Sequence, residues 1–137
     1  MSRFEEIKDG DRLPELRVRM DREKYFAYND LVKNINPLHS DEAYAKRLGF
    51  RDIVVAGVYT YSFITRMIED WVGESGEISQ VEIGYKSPIY IDETIIHEAQ
   101  VIKKCEDVRR RYAECEVLVR DREGNKLTEA LVRVDFN

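Results

Sequence analysis

One segment of the sequence, residues 54–71, constrains the fold more than any other. It has the spacing of an α-helix and carries apolar side chains nearly all round, as expected of a helix that other structure encloses. Its small residues, Ala56 and Gly57, lie at its beginning, where the backbone can therefore approach another group closely. A chain of 137 residues must wrap its other elements around this one central helix.

The segments on both sides of the helix are patterned mainly as strands. Apolar and polar residues alternate over residues 15–20, and a helix is predicted from residue 21 to about 33, with a shorter one over 40–49. Strands are predicted at residues 78–85, 89–91, 95–105, 112–120 and 127–136. We therefore predict an α+β fold in which a long antiparallel β-sheet wraps around the central helix, as a single domain over residues 1–137.

Composition excludes several classes of protein. With 43% apolar residues the chain can build a core, and its net charge of −5 argues against a nucleic-acid binder. No apolar run approaches the roughly 20 residues of a membrane helix, and no secretory leader is evident, so we expect a cytoplasmic protein without a membrane segment. The two cysteines and two histidines form no ligand pattern, and we predict neither a metal nor a cofactor.

A set of short motifs resembles one family. Residues 34–39 have the sequence Asn-Ile-Asn-Pro-Leu-His, residues 26–27 before them are Phe-Ala, and residues 56–58, Ser62 and residues 85–89 follow in the family's order. Together they resemble the MaoC-like, (R)-specific enoyl-CoA hydratase group over roughly residues 18–136. The resemblance implies the hot-dog fold. It also implies a hydro-lyase that adds water to an enoyl thioester, or removes it from a 3-hydroxyacyl thioester, carried by CoA or by acyl-carrier protein.

The family's motif is Asp-x-Asn-Pro-x-His, whose Asp and His hold the water that adds to or leaves the β-carbon. His39 matches the histidine, and an imidazole can accept and return a proton near neutral pH. Asn34 occupies the aspartate position; a carboxamide takes up no proton but can still hold a water. Gly57 matches the glycine whose backbone N–H donates to the thioester carbonyl. The resemblance thus implies that His39, Asn34 and Gly57 are catalytic.

Two further positions are assigned to substrate binding. Asn36 matches the asparagine of the motif and is expected to orient the turn by bonding nearby backbone. Ser62 lies near the family's helix serine, with a hydrogen bond to the preceding helical turn as its alternative. His97 is expected on the sheet surface. The arginine run 109–111 is either a solvated strand edge or hairpin shoulder, or a landing site for the phosphates of coenzyme A or phosphopantetheine.

The replacement of aspartate by Asn34 leaves several hypotheses open. His39 alone transfers the proton; another carboxylate such as Asp30, one helical turn earlier, substitutes; or the site binds thioesters without turning them over. The alternative functions are accordingly a non-catalytic acyl-thioester-binding subunit paired with an active hydratase chain, and a hot-dog thioesterase in which His39 activates water. Edge strands and an apolar helix predict a homodimer or higher oligomer, or a heterodimer with an active hydratase subunit.

Overall fold

The computed structural model describes residues 4–137. Its regular elements are β1 Leu16–Arg19, α1 Arg22–Val32, α2 Glu42–Arg47, α3 Gly57–Val72, β2 Gly76–Tyr85, β3 Thr94–Glu106, β4 Arg111–Arg120 and β5 Lys126–Phe136. The five strands form one antiparallel sheet in the order β1-β3-β4-β5-β2, which curls around α3. This confirms the predicted α+β architecture. Within these residues no helix is both long and apolar enough to cross a membrane.

The core lies between α3 and the concave face of the sheet. Alternate residues of β3, β4 and β5 point inward, and Val101, Val117 and Val132 are fully buried there. They pack in one hydrophobic cluster with Ile64 and Ile68 of α3. Burying each such side chain contributes about 1.5–3 kcal/mol, so this face of α3 holds the helix in place.

The central helix begins later than the sequence predicts. The N–H of Val55 donates to the carbonyl of Ile89 at 2.7 Å, and Val54 forms a single β-bridge with Tyr90. These contacts hold residues 54–55 in an extended conformation, so α3 starts only at Gly57. The predicted strand at residues 89–91 is therefore wrong: the segment contributes a bridge and no regular strand.

The predicted enclosure of α3 on all sides is also wrong for the single chain. Thr60, Ile64 and Ile68 are buried against the sheet, whereas Val58 is 60% exposed and Ser62 is exposed on the opposite face. One side of the central helix is thus open, and Val58 is an exposed apolar residue on it.

His97 lies inside the fold, which corrects the surface position that the sequence analysis predicts. It is 1% exposed because its side chain points to the same side of β3 as those of Ile95 and Ala99, which face the core. Its Nδ1 bonds to the carbonyl of Leu16 at 3.1 Å, and its ring lies beside Phe63. Burial in this apolar setting lowers the pKa of His97.

Candidate active site

The motif at residues 34–39 forms a tight turn built by its two asparagines. The Oδ1 of Asn34 accepts the N–H of Asn36 at 3.1 Å, and the Oδ1 of Asn36 accepts the N–H of Leu38 at the same distance. Such asparagine-to-backbone bonds stabilise turns. Asn36 therefore orients the turn as the sequence analysis predicts, while one acceptor site of Asn34 is already occupied by backbone.

The His39 side chain is held in one orientation by a hydrogen bond to backbone. Its Nδ1 lies 2.8 Å from the carbonyl oxygen of Val54. Because a carbonyl can only accept, Nδ1 carries the proton in the neutral ring, and Nε2 keeps an unprotonated lone pair. This tautomer is the one in which Nε2 can accept a proton from a bound molecule.

The backbone of His39 is fixed by two side chains of α1. Its carbonyl oxygen accepts the Tyr25 hydroxyl at 2.8 Å and the Asn29 amide Nδ2 at 3.1 Å. The Tyr25 hydroxyl in turn accepts the N–H of Ala56 at 3.0 Å. Burial raises the pKa of Tyr25, against the opposing effects of hydrogen bonds from Asn29 and from the Ala56 backbone, so the hydroxyl keeps its proton.

The N-terminus of α3 presents free backbone N–H groups next to this turn. Ala56 is the N-cap and supplies no side-chain capping bond, and Gly57 is the first helical residue. The first N–H groups of a helix have no intrahelical acceptor and carry the positive end of its dipole. Gly57 has close neighbours: a Cβ at this position would lie 2.9 Å from Cζ of Tyr85, whose hydroxyl donates to the Gly57 carbonyl at 3.0 Å.

His39 and Gly57 share one pocket of about 490 Å³. Its other lining residues are Val54, Val55, Thr60, Tyr85, Lys86, Ser87, Pro88 and Ile89. Most of this surface is apolar, so an acyl group can occupy it. A second depression, of about 520 Å³, lies on the outer face of the sheet; its lining includes Lys86 but neither His39 nor Gly57.

The other predicted site residues lie outside the lining of this pocket. Asn34 is half-buried and Asn36 is exposed, both on the turn that carries His39. Ser62 is exposed, and its Oγ donates at 2.5 Å to the carbonyl of Tyr59, three residues earlier in the same helix. Of the five predicted positions, the single chain therefore brings together His39 and Gly57.

Tyr25, Asn29, Thr60 and Tyr85 are site residues that the sequence analysis did not assign. Tyr25 and Asn29 are spaced four residues apart, so they lie on one face of α1. Asn29 is buried; its Nδ2 donates to the His39 carbonyl, whereas its buried Oδ1 has no hydrogen-bond partner among residues 4–137. A polar residue on an otherwise apolar helical face is the sequence signal from which this role could have been predicted.

The arginine run lies at the other end of the sheet. Arg111 pairs with Phe136, and Phe136 pairs with Gly76, the first residue of β2. Tyr85, which lines the pocket, is the last residue of β2 and therefore lies at the opposite end of the sheet. Arg110 bonds to Asp135 and Arg111 bonds to Glu5, each through a short ion pair. The position at the β3–β4 hairpin and the ion pairs favour a solvated hairpin shoulder. Among residues 4–137, no three His, Cys, Asp or Glu side chains are grouped as a metal site.

Comparison with known proteins places the chain in a family. A family model described as the MaoC like domain matches residues 3–123. The chain belongs to the MaoC-like family. This MaoC-like chain is 31% identical over 106 residues to the tomato (Solanum lycopersicum) mitochondrial 3-hydroxyacyl-(acyl-carrier-protein) dehydratase FERN, and the match covers 77% of the chain. The chain spans 62% of the length of that relative.

Solved structures show the same fold at lower identity. The (R)-hydratase from A. caviae involved in PHA biosynthesis has a TM-score of 0.85 and 20% identity, with 96% of this chain and 98% of that one covered. The ChsH1-ChsH2 complex from Mycobacterium tuberculosis has a TM-score of 0.83 and 22% identity, with 95% and 98% covered. The MaoC-like chain therefore has the hot-dog fold, as the motif resemblance implies.

Proposed function

We propose that this MaoC-like chain is a hydro-lyase acting on acyl thioesters, of the (R)-specific enoyl-CoA hydratase or 3-hydroxyacyl-thioester dehydratase type. The observation that carries the proposal is the meeting of two groups in one apolar pocket. The unprotonated Nε2 of His39 can handle a proton there, and the free N–H of Gly57 can stabilise negative charge on a thioester oxygen. The dehydratase name of the tomato relative supports the same reaction.

The proposed reaction needs one proton carrier. In the hydration direction, Nε2 of His39 accepts a proton from water while the water oxygen forms its bond to C3. The C2–C3 π electrons move towards the thioester, and the enolate oxygen accepts the N–H of Gly57. The imidazolium then gives its proton to C2, so the product is the 3-hydroxyacyl thioester and His39 is neutral again. Dehydration follows the same steps in reverse.

Asn34 serves as a water-holding residue in this proposal. Its Oδ1 accepts the Asn36 N–H, but a second lone pair and both Nδ2 hydrogens remain. These groups can orient a water molecule without exchanging a proton with it. Asn36 supports the turn, and the substrate thioester is carried by CoA or by acyl-carrier protein, the carrier named for the tomato relative.

The active form is proposed to be a dimer or higher oligomer. Strand β2 lies at an edge of the sheet, and beside it the open face of α3 presents exposed Val58. Near the motif turn, Leu31 is 82% and Ile35 is 93% exposed. Exposed apolar groups of this size, next to an unpaired strand edge, favour pairing with a second chain. The partner is a second copy or another MaoC-like chain, as in the complex of ChsH1 with ChsH2.

The direct test is hydration of crotonyl-CoA, followed as loss of absorbance at the enoyl-thioester band. Wild type is compared with His39→Ala and with His97→Asn, which removes the other histidine and leaves the pocket intact. We expect turnover in wild type and in His97→Asn, and its loss in His39→Ala, with acyl-thioester binding retained. Near wild-type turnover in His39→Ala would refute the proposal.

Two other outcomes separate the alternative functions. Release of free thiol from the thioester, measured with a thiol reagent, would indicate a thioesterase. Binding of crotonyl-CoA by wild type without any turnover would indicate a non-catalytic subunit. Sedimentation equilibrium at micromolar concentration tests the oligomer, and a monomer there would contradict it.

A further inference from the structure

We infer that Tyr25 is a positioning residue that sets the relative placement of His39 and Gly57. The inference rests on the proposed function, because it concerns the two groups to which that proposal assigns the chemistry. Tyr25 lies on α1, outside the pocket, and no motif of the resemblance includes its hydroxyl. Its role follows from the hydrogen bonds that this one hydroxyl makes.

The Tyr25 hydroxyl joins the two halves of the proposed site. It donates to the carbonyl of His39 at 2.8 Å and accepts the N–H of Ala56 at 3.0 Å. Ala56 directly precedes Gly57, so the accepted bond fixes the backbone at the start of α3. The buried Tyr25 oxygen is thus bonded to His39, the proposed base, and to Ala56, which precedes Gly57, the proposed oxyanion donor.

The direction of these two bonds is unambiguous. A backbone carbonyl can only accept and a backbone N–H can only donate, so the single hydroxyl hydrogen must point at His39. The ring that carries the hydroxyl is 0% exposed and packs edge-on against Tyr59, with ring centroids 5.1 Å apart. A side chain with so little freedom can hold its two partners at a constant separation.

His39 is held at two points, and both lead to the same backbone segment. Its side chain bonds to the carbonyl of Val54, and its own carbonyl is linked through Tyr25 to Ala56, two residues further along. Asn29 also donates to the His39 carbonyl but has no bond to the 54–57 segment. The turn and this segment are also joined directly, because the Val54 N–H donates to the Leu38 carbonyl at 3.3 Å. Tyr25 is the side chain that links the His39 carbonyl to the start of α3.

Removing the hydroxyl should affect the chemical step more than substrate binding. A misplacement of about 1 Å can cost on the order of 10²-fold in rate. For Tyr25→Phe we expect kcat to fall by about 10- to 100-fold while KM changes by less than about threefold, because Tyr25 does not line the pocket. The ring stays in place, and Asn29 still satisfies the His39 carbonyl.

The matched control is Tyr59→Phe. Tyr59 belongs to the same ring cluster, but its hydroxyl makes no hydrogen bond within residues 4–137. Circular dichroism verifies that both variants fold, and crotonyl-CoA hydration gives kcat and KM. We expect wild-type kinetics in Tyr59→Phe and a loss confined mainly to kcat in Tyr25→Phe.

A second measurement does not depend on activity. The chain has two histidines, and the Nδ1 of each is bonded to a backbone carbonyl, so two-bond ¹H–¹⁵N correlation of the imidazoles at pH 8 resolves both tautomers. In Tyr25→Phe we expect the His39 signals to shift towards a mixture of tautomers, while the His97 signals stay unchanged. Unchanged His39 signals, or an unchanged kcat in an active enzyme, would overturn the inference. If wild type shows no turnover, the proposed function fails, and the imidazole signals alone decide the role of Tyr25.

Discussion

Replacing Asn34 with aspartate supplies the carboxylate that the family motif has at this position. The structure indicates that the variant folds. A carboxylate oxygen can accept the Asn36 N–H that Oδ1 of Asn34 now accepts at 3.1 Å. A hydrogen bond to a charged group contributes about 1.5–3 kcal/mol against about 1 kcal/mol for a neutral one. Since Asn34 is half-buried, solvent reduces that gain, and we expect stability to change by less than about 1 kcal/mol.

The expected effect on rate is larger. A positioned acid or base contributes 10²- to 10⁴-fold, and each tenfold corresponds to about 1.4 kcal/mol of activation free energy. We expect the lower end, about 10²-fold or about 2.7 kcal/mol, for Asn34→Asp. The reason is that one carboxylate oxygen stays bonded to the Asn36 N–H, and residue 34 lies beside the pocket without lining it.

The assay is the initial rate of crotonyl-CoA hydration by wild type, Asn34→Asp and Asn36→Asp. Asn36→Asp is the matched control, because its Oδ1 also accepts an N–H two residues ahead at 3.1 Å, so a carboxylate there has the same local geometry. We expect a gain in Asn34→Asp, no gain in Asn36→Asp, and loss of the gain when His39→Ala is added. An unchanged rate in folded Asn34→Asp, or an equal gain in Asn36→Asp, would refute this account of Asn34.

Three further predictions concern Gly57, His97 and the cysteines. In Gly57→Ala the new Cβ would lie 2.9 Å from Tyr85 Cζ, so the Tyr85 ring, which lines the pocket, must move. We expect kcat/KM to fall on the order of tenfold with little change in Tm. Unaltered kinetics would contradict this. Because burial lowers the pKa of His97, the unfolded state binds its proton first as pH falls below about 6.5. Stability measured by urea unfolding should therefore drop below that pH, and less steeply in His97→Asn; parallel curves would refute this. Burial raises the pKa of the Cys115 thiol to about 12, so a thiol reagent at pH 8 should label half-buried Cys105 and reach Cys115 only on unfolding, as mass spectrometry can verify.

Local patterns in the sequence were sufficient for the architecture. The alternation of apolar residues over β3, β4 and β5 specifies strands with one buried face, because side chains on a strand point to opposite sides in turn. The Asn-x-Asn-Pro-Leu-His segment specifies its own turn through bonds between near neighbours. The resemblance of this segment and of residues 56–58 to a family predicted His39 and Gly57 as site residues, and both line one pocket.

Contacts between distant parts of the chain required the tertiary structure. Tyr25 bonds to His39, 14 residues away, and to Ala56, 31 residues away, and no periodicity of the sequence records either pairing. The start of α3 at Gly57 depends on Val55 bonding to Ile89. A sequence pattern reports which face of an element is apolar, whereas a hydrogen bond between elements depends on how those faces are docked. The sequence therefore indicated candidates for the proposed chemistry, and the packing of α1 against the turn and α3 decided how they are held.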